Sequence, residues 1–155
     1  MKGATTFDFP EKIRLVIWDL DEVFWKGTLT EGGYLYSEEA HEIVVSLAER
    51  GIMSSICSKN DFETVRSILI DRGIWDYFVF PSIDWSSKGH RIKYIVNASQ
   101  LRPETVLFID DNPGNRGEAV SAVPGLNIAD EKIIPTILDQ GHFAGKDDRS
   151  LSRLK

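Results

Sequence analysis

The chain has 155 residues, 42% of them hydrophobic and 27% charged, with 12 Gly. This is an ordinary globular composition that sets aside disorder, collagen and coiled coil and fits one domain with a single core. Lys+Arg 18 against Asp+Glu 24 gives a net charge of -6, which argues against a general nucleic-acid binder or a binder of anionic membranes, since both need a cationic face.

Residues 1–11 carry no apolar run and read as an N-terminal extension, not a signal peptide. Residues 13–18 (IRLVIW) form the first short, β-branched run of strand length. The segment 22–36 (EVFWKGTLTEGGYLY) follows, with Gly27, Gly32 and Gly33 among aromatics and no helical period. It reads as a β-hairpin flap leaving the first strand. Ala40, Ile43, Val44, Leu47 and Ala48 then recur at helical spacing over 38–50, with Ser37 as N-cap and Gly51 as stop. Further strands are expected at 52–57, 78–83, 105–109 and 126–129, and further helices at 61–72, 87–99, 113–122 and 131–139, the last weakened by Pro135. Residues 141–155 read as a polar tail, so the domain proper is placed at 12–140. Trp18, Trp75 and Trp85 are expected to pack.

Strands alternating with helices at this spacing predict an α/β fold with a doubly wound parallel sheet. Parallel strands are covered on both faces, which accounts for apolar runs that do not alternate. In such sheets ligands bind beyond the carboxyl ends of the strands. Those ends carry Asp19-Leu20-Asp21, then Ser58-Lys59-Asn60, then Asp110-Asp111-Asn112, and the helix before the fourth strand opens with Ser86-Ser87-Lys88. Four carboxylates, a hydroxyl and an ammonium thus converge on one rim. The carboxylates repel unless a cation neutralises them, and Mg2+, a hard ion that takes carboxylates together with substrate phosphate, fits that need. The remaining groups suit phosphoryl transfer. A carboxylate can attack phosphorus, a second one two residues away can move protons, and a hydroxyl and an ammonium can hold phosphoryl oxygens.

The strings DLDEV (19–23), ICSKN (56–60), Lys88 and FIDDNP (108–113) resemble the four ordered motifs of the haloacid dehalogenase superfamily of aspartate-nucleophile phosphatases. IWDLDEVFWKGTLTEGG, ICSKND and VLFIDDNPGNR look like its FkbH-like, type IIIC branch. The resemblance implies a Rossmann-like core with Asp19 as nucleophile and metal ligand and Asp21 as general acid/base, its carbonyl on the metal. It implies Ser58, Lys59, Asn60 and Lys88 around the phosphoryl group, and Asp110 and Asp111 at Mg2+. The flap and one helix fill the interval from Asp21 to Ser58, and one helix and one strand fill that from Ser58 to Lys88. Neither leaves room for an inserted cap domain. An open site follows, for a phosphorylated substrate that is small or carrier-linked, with a carrier protein or an oligomer partner as possible cover. Phe24, Trp25 and Tyr34 on the flap, and Asn112 and Arg116, are candidate substrate contacts. Two positions depart from the pattern: Glu22, where relatives often have Asn or Gly, and Asn115, where the FkbH-like pattern often has Glu.

The reading is thus a Mg2+-dependent phosphohydrolase working through an aspartyl-phosphate. One alternative is an FkbH-like transferase that passes an acyl group to a carrier protein. Cys57, the single cysteine, would hold the acyl group in that reading and is inert packing otherwise. A receiver-like phospho-acceptor module also uses clustered Asp, a hydroxyl residue and Lys. It places its acidic pair after the first strand and its Lys after the last, whereas here Asp110-Asp111 come late and Lys88 precedes them. No GxGxxG follows the first strand, which weakens a dinucleotide-binding reading. With no membrane span, and with one cysteine making a reducing compartment the default, a cytoplasmic location is expected.

Overall fold

The computed structural model describes residues 7–30 and 32–145. The first six residues of the expected N-terminal extension, Glu31 of the flap and residues 146–155 of the expected tail lie outside the described residues. Five parallel strands form the main sheet: β1 (Leu15–Trp18), β4 (Met53–Ser58), β5 (Ser82–Ile83), β6 (Val106–Ile109) and β7 (Asn127–Ala129), in the order β5-β4-β1-β6-β7. Between β1 and β4 lie an antiparallel hairpin, β2 (Trp25–Thr28) and β3 (Gly33–Tyr36), and the helix α1 (Glu38–Glu49). The helices α2 (Phe62–Asp71), α3 (Gly89–Ser99) and α4 (Pro113–Ala122) complete the α/β pattern. No helix among the described residues is long and apolar enough to cross a membrane.

Side-chain alternation along β1 and β6 separates two cores. Val16 and Trp18, with Leu107 and Ile109, pack with the apolar faces of α1 and α2. Leu15 and Ile17, with Val106 and Phe108, face α3 and α4. Trp18 is fully buried, and its indole N–H donates to Ser54 Oγ at 3.2 Å, so the burial leaves no unpaired donor there. α1 starts where Ser37 Oγ accepts from Ala40 N, and α2 where the Asp61 carboxylate accepts from Thr64 N. In the hairpin Gly27 pairs with Tyr34 at φ +80, and a Cβ there would lie 2.7 Å from the Gly33 carbonyl oxygen. Only glycine fits that crossing.

Four regions differ from the sequence reading. The third strand of the main sheet, expected over 78–83, pairs only at Ser82 and Ile83. Pro81 has no N–H to donate and Phe80 sits at φ +49, so pairing before Ser82 is limited to an isolated bridge at Phe78. Residues Glu131–Asp139 form a 3-10 helix around Pro135 in place of an α-helix, capped by Asp130 and burying Ile133, Ile134 and Ile137. Trp85 is exposed, not packed. The start of the expected tail is structural: Gly141–Phe143 form a 3-10 turn, and Phe143 is fully buried edge-on to Phe9, with ring centroids 6.1 Å apart. Arg50 holds this segment by donating to the carbonyls of Phe143 (2.7 Å) and Leu138 (3.1 Å). The core therefore reaches beyond 12–140 at both ends.

Candidate active site

β1 and β6 are neighbours, with Trp18 in register with Ile109, so the residues that follow them, Asp19 and Asp110, emerge side by side. Their backbones stay in the sheet: Asp19 N donates to Ile109 O at 3.0 Å and Asp110 N to Ala129 O at 3.1 Å. This is the point where the strand order reverses, the place such sheets use for ligands. Lys88, the residue before α3, reaches this point from the other core. Its Nζ donates to Asp19 Oδ1 at 2.9 Å and to Asp110 Oδ2 at 2.7 Å, with the side chain 2% exposed. Phe108 lies beneath the ammonium, its centroid 5.8 Å away.

The electrostatics follow from this burial. Desolvation pushes the Asp19 carboxyl up to about 7, and the charge of Asp110 adds to the push, while Lys88 and the Leu20 amide oppose it. Desolvation alone would pull Lys88 down, but its two carboxylates outweigh it and hold the ammonium above its ordinary value. Asp111 is raised by desolvation and then by Asp110. Oxygens of Asp19, Asp110 and Asp111 lie within 4.8 Å of one another. Ionised, these three carry two more negative charges than Lys88 balances. A divalent cation with a preference for oxygen supplies the difference, so the donor set fits Mg2+.

Asp110 has further supports. Asn112 N donates to its Oδ1 at 2.8 Å, Asn115 Nδ2 lies 3.4 and 3.2 Å from its two oxygens, and Arg116 donates to its carbonyl at 2.7 Å. Asn112 also caps α4 through Asn115 N. Asn112 and Arg116, expected as substrate contacts, thus have structural partners at Asp110. Asn115, noted in the sequence only as a departure, stands in direct contact with that carboxylate.

Asp21 lies at the base of the flap. Its Oδ1 accepts from Trp25 Nε1 at 2.9 Å and from Leu29 N at 3.1 Å, and its Oδ2 from Asn60 Nδ2 at 3.2 Å. Trp25 is 1% exposed and Phe24 is fully buried. Neither is a surface for substrate, because the flap folds its aromatics into the core, where Phe24 stacks edge-on against Trp18 and Tyr36. Tyr34 is partly buried, its ring centroid 4.9 Å from that of Trp25. The role left to Trp25 is to aim Asp21.

Asn60 is buried, bridging Asp21 and Ser58 Oγ (3.1 Å), and its own Oδ1 has no partner. Asp61 caps α2, which leaves Ser58 free of that task. Lys59 is exposed on the rim. Cys57 is fully buried and faces the α3/α4 core, where desolvation pushes its thiol up to about 12. Arg91, absent from the sequence reading, is buried one turn after Lys88 and donates to the carbonyls of Ser58, at the end of β4, and Ser82, at the start of β5. Its signal in the sequence was its place three residues beyond Lys88, on the same helix face.

No protein-family model matches the chain, and no curated protein sequence does either. Solved structures do match it in fold. The N-terminal part of a Bacteroides fragilis protein, containing a phosphatase domain complexed with Mg, superposes with a TM-score of 0.69 at 23% identity, over 77% of this chain and 36% of that one. The cobalt-bound deoxy-D-mannose-octulosonate 8-phosphate phosphatase of Haemophilus influenzae gives 0.59 at 21% identity, over 74% of this chain and 66% of that one. The 3-deoxy-D-manno-octulosonate 8-phosphate phosphatase of Moraxella catarrhalis, in complex with magnesium ion, phosphate ion and KDO, gives 0.60 at 15% identity, over 92% and 94%. The fold is shared with these phosphatase structures, and between β1 and β4, and between β4 and α3, the described residues hold only the hairpin, two helices, one short strand and a 3-10 turn.

Proposed function

We propose that the chain is a Mg2+-dependent phosphohydrolase that cleaves phosphate monoesters through an aspartyl-phosphate on Asp19. The observation that carries this reading is the buried Asp19–Lys88–Asp110 bridge with Asp111 beside it, at the strand-order switch of a phosphatase fold. Asp19, Asp110 and Asp111 would hold the metal, which would supply charge withdrawal from the phosphoryl oxygens and screening between the carboxylates.

Asp19 is the nucleophile because the Lys88 ammonium and the strand ends fix its carboxylate at the centre of the rim, where an oxygen can attack phosphorus. Asp21 lies two residues on, held by Trp25, Leu29 and Asn60, three donors that leave its carboxyl little freedom to rotate. It gives a proton to the departing alkoxide. It then takes one from the water that attacks phosphorus and releases Asp19. Ser58 Oγ and Lys88 Nζ meet the phosphoryl oxygens. Lys88 and Asp19 are already in contact, so the charge that compensates the transferring group is in place before substrate arrives.

The motif strings favour the FkbH-like, type IIIC branch, and an open rim accommodates a carrier-linked substrate. Hydrolysis is preferred to acyl transfer through Cys57, because that thiol is buried and held protonated. Phosphate release from an aryl phosphate and a panel of phosphate monoesters, with Mg2+ and with EDTA, tests the proposal. It expects metal-dependent turnover that Asp19→Asn abolishes, and turnover surviving that substitution overturns it.

A further inference from the structure

Arg91 is the one buried cation among the described residues besides Lys88, and the chemistry above does not use it. It lies on the first turn of α3, with its side chain 5% exposed. The guanidinium meets an unusual set of partners. Nη1 donates to the carbonyl of Ser58 at 3.2 Å and to the carbonyl and hydroxyl of Ser82 at 3.0 and 3.1 Å. Nη2 donates to the carbonyls of Asp84 (3.3 Å) and Ser86 (2.8 Å), and Nε to that of Ser87 (3.3 Å). The nearest carboxylate, Asp84, is 3.4 Å from Nε and mostly in solvent. The charge is therefore compensated mainly by peptide dipoles, and the five N–H groups of the guanidinium tie together three stretches of backbone.

Those stretches are specific. They are the end of β4, which carries Ser58; Ser82, the first residue of β5; and the loop 84–87, which delivers Lys88. None belongs to β1, β6 or α4, whose ends carry Asp19, Asp110 and Asp111. The Ser58 hydroxyl and the Lys88 ammonium come from different elements; one backbone bond, Asp84 N to Ser58 O at 3.3 Å, links the stretches behind them, and Arg91 supplies the side-chain bonds that join all three. We propose that Arg91 is a positioning residue that sets the phosphoryl-binding groups, Ser58 and Lys88, through backbone it shares with them and with no bond of its own to the carboxylates assigned to the metal. The inference rests on the phosphatase reading above.

This division separates two affinities that a general loss of packing would move together. Lysine at 91 keeps the charge but offers three donors from a single nitrogen and cannot span the three stretches. In Arg91→Lys, inorganic phosphate binding at saturating Mg2+, measured by titration calorimetry, is expected to weaken about tenfold or more, the factor that loss of one charged hydrogen bond gives. KM for an aryl phosphate should rise with it, and Mg2+ binding in the absence of phosphate should not weaken. Asp84→Ala provides a second variant at an exposed position, where folding is not at stake. It removes the bonds from Ser86 N and Oγ to Asp84 that shape the loop. Taking away a negative charge should by itself tighten phosphate binding, so weaker phosphate binding in this variant reports the loop.

Phosphate binding by either variant that matches or exceeds the wild type overturns the inference, as does a parallel loss of Mg2+ binding. A wild-type protein that binds no phosphate with Mg2+ present overturns the phosphatase reading itself.

Discussion

Replacing Lys88 by Met isolates the electrostatics of the site. The ammonium sits 2.9 Å from Asp19 and 2.7 Å from Asp110, with Asp110 fully buried. At an effective dielectric of about 20, each contact carries a gross attraction of about 6 kcal/mol, most of which offsets the desolvation of the three groups. Removing one partner of a buried ion pair leaves an uncompensated charge and costs about 3–5 kcal/mol. In a chain of this length that lowers Tm by roughly 10 °C. The loss depends on pH in a defined direction. Lys88 is held above its ordinary value, so its contribution is complete at neutral pH and fades only as pH climbs past the lysine range. The Asp19 carboxyl is pushed up to about 7, so the folded state favours its neutral form; stability from this group is greatest below its ordinary value near 4 and declines as pH rises toward 7. Without Lys88 that decline should steepen, so Lys88→Met should cost more at pH 8 than at pH 5, and Mg2+ should recover part of the loss at pH 8. Urea unfolding in EDTA and in Mg2+ at both pH values reads this directly. A loss below about 1 kcal/mol in EDTA at pH 8, or one equal at the two pH values, refutes the reasoning and leaves only a packing effect.

The Cys57 thiol should resist a disulfide exchange reagent until the protein unfolds, and Cys57→Ala should keep wild-type turnover; rapid labelling of the folded protein would reopen the acyl-transfer reading. Phe143→Ala should cost about 3–5 kcal/mol in urea unfolding, as for other buried aromatics, whereas a free tail would show no change. Glu22 sits at φ 63, a left-handed conformation that costs a non-glycine residue about 1–2 kcal/mol, and its carboxylate returns only one exposed bond, from Gly27 N at 3.1 Å. Glu22→Gly should therefore raise the urea midpoint, and a lowered midpoint would mean that the side-chain bond outweighs the backbone cost.

The rim was legible because each of its residues follows a strand or opens a helix, and the strands are continuous apolar runs that a doubly wound sheet requires. Once Trp18 and Ile109 are in register, Asp19 and Asp110 must meet. The order of the motifs then placed Lys88 among them. What could not be read depends on contacts across long sequence separations. Trp25 looked like a flap aromatic open to substrate, but its burial comes from how the hairpin folds back, and its N–H lies on Asp21 only in three dimensions. Phe143 is a lone apolar residue in a polar stretch, held by Phe9 and by the Arg50 hydrogen bond to its carbonyl, 93 residues away. Arg91 was visible three residues beyond Lys88, but its partners are backbone carbonyls of distant stretches, which no residue type announces. The shortened β5 shows the opposite case: Pro81 was visible in the run 78–83, and its missing N–H limits the pairing there.

The central claim is the covalent intermediate on Asp19, and acid-quenched turnover followed by borohydride reduction tests it most directly. An acyl phosphate is reduced to the alcohol while a free carboxylate is not, so peptide mass spectrometry should find homoserine at position 19 in the wild type. That signal requires Mg2+ and a phosphate monoester, and it should be absent in Asp19→Asn. Turnover of the monoester with no reduction at Asp19, or with reduction at Asp21, Asp110 or Asp111 in its place, would contradict the account.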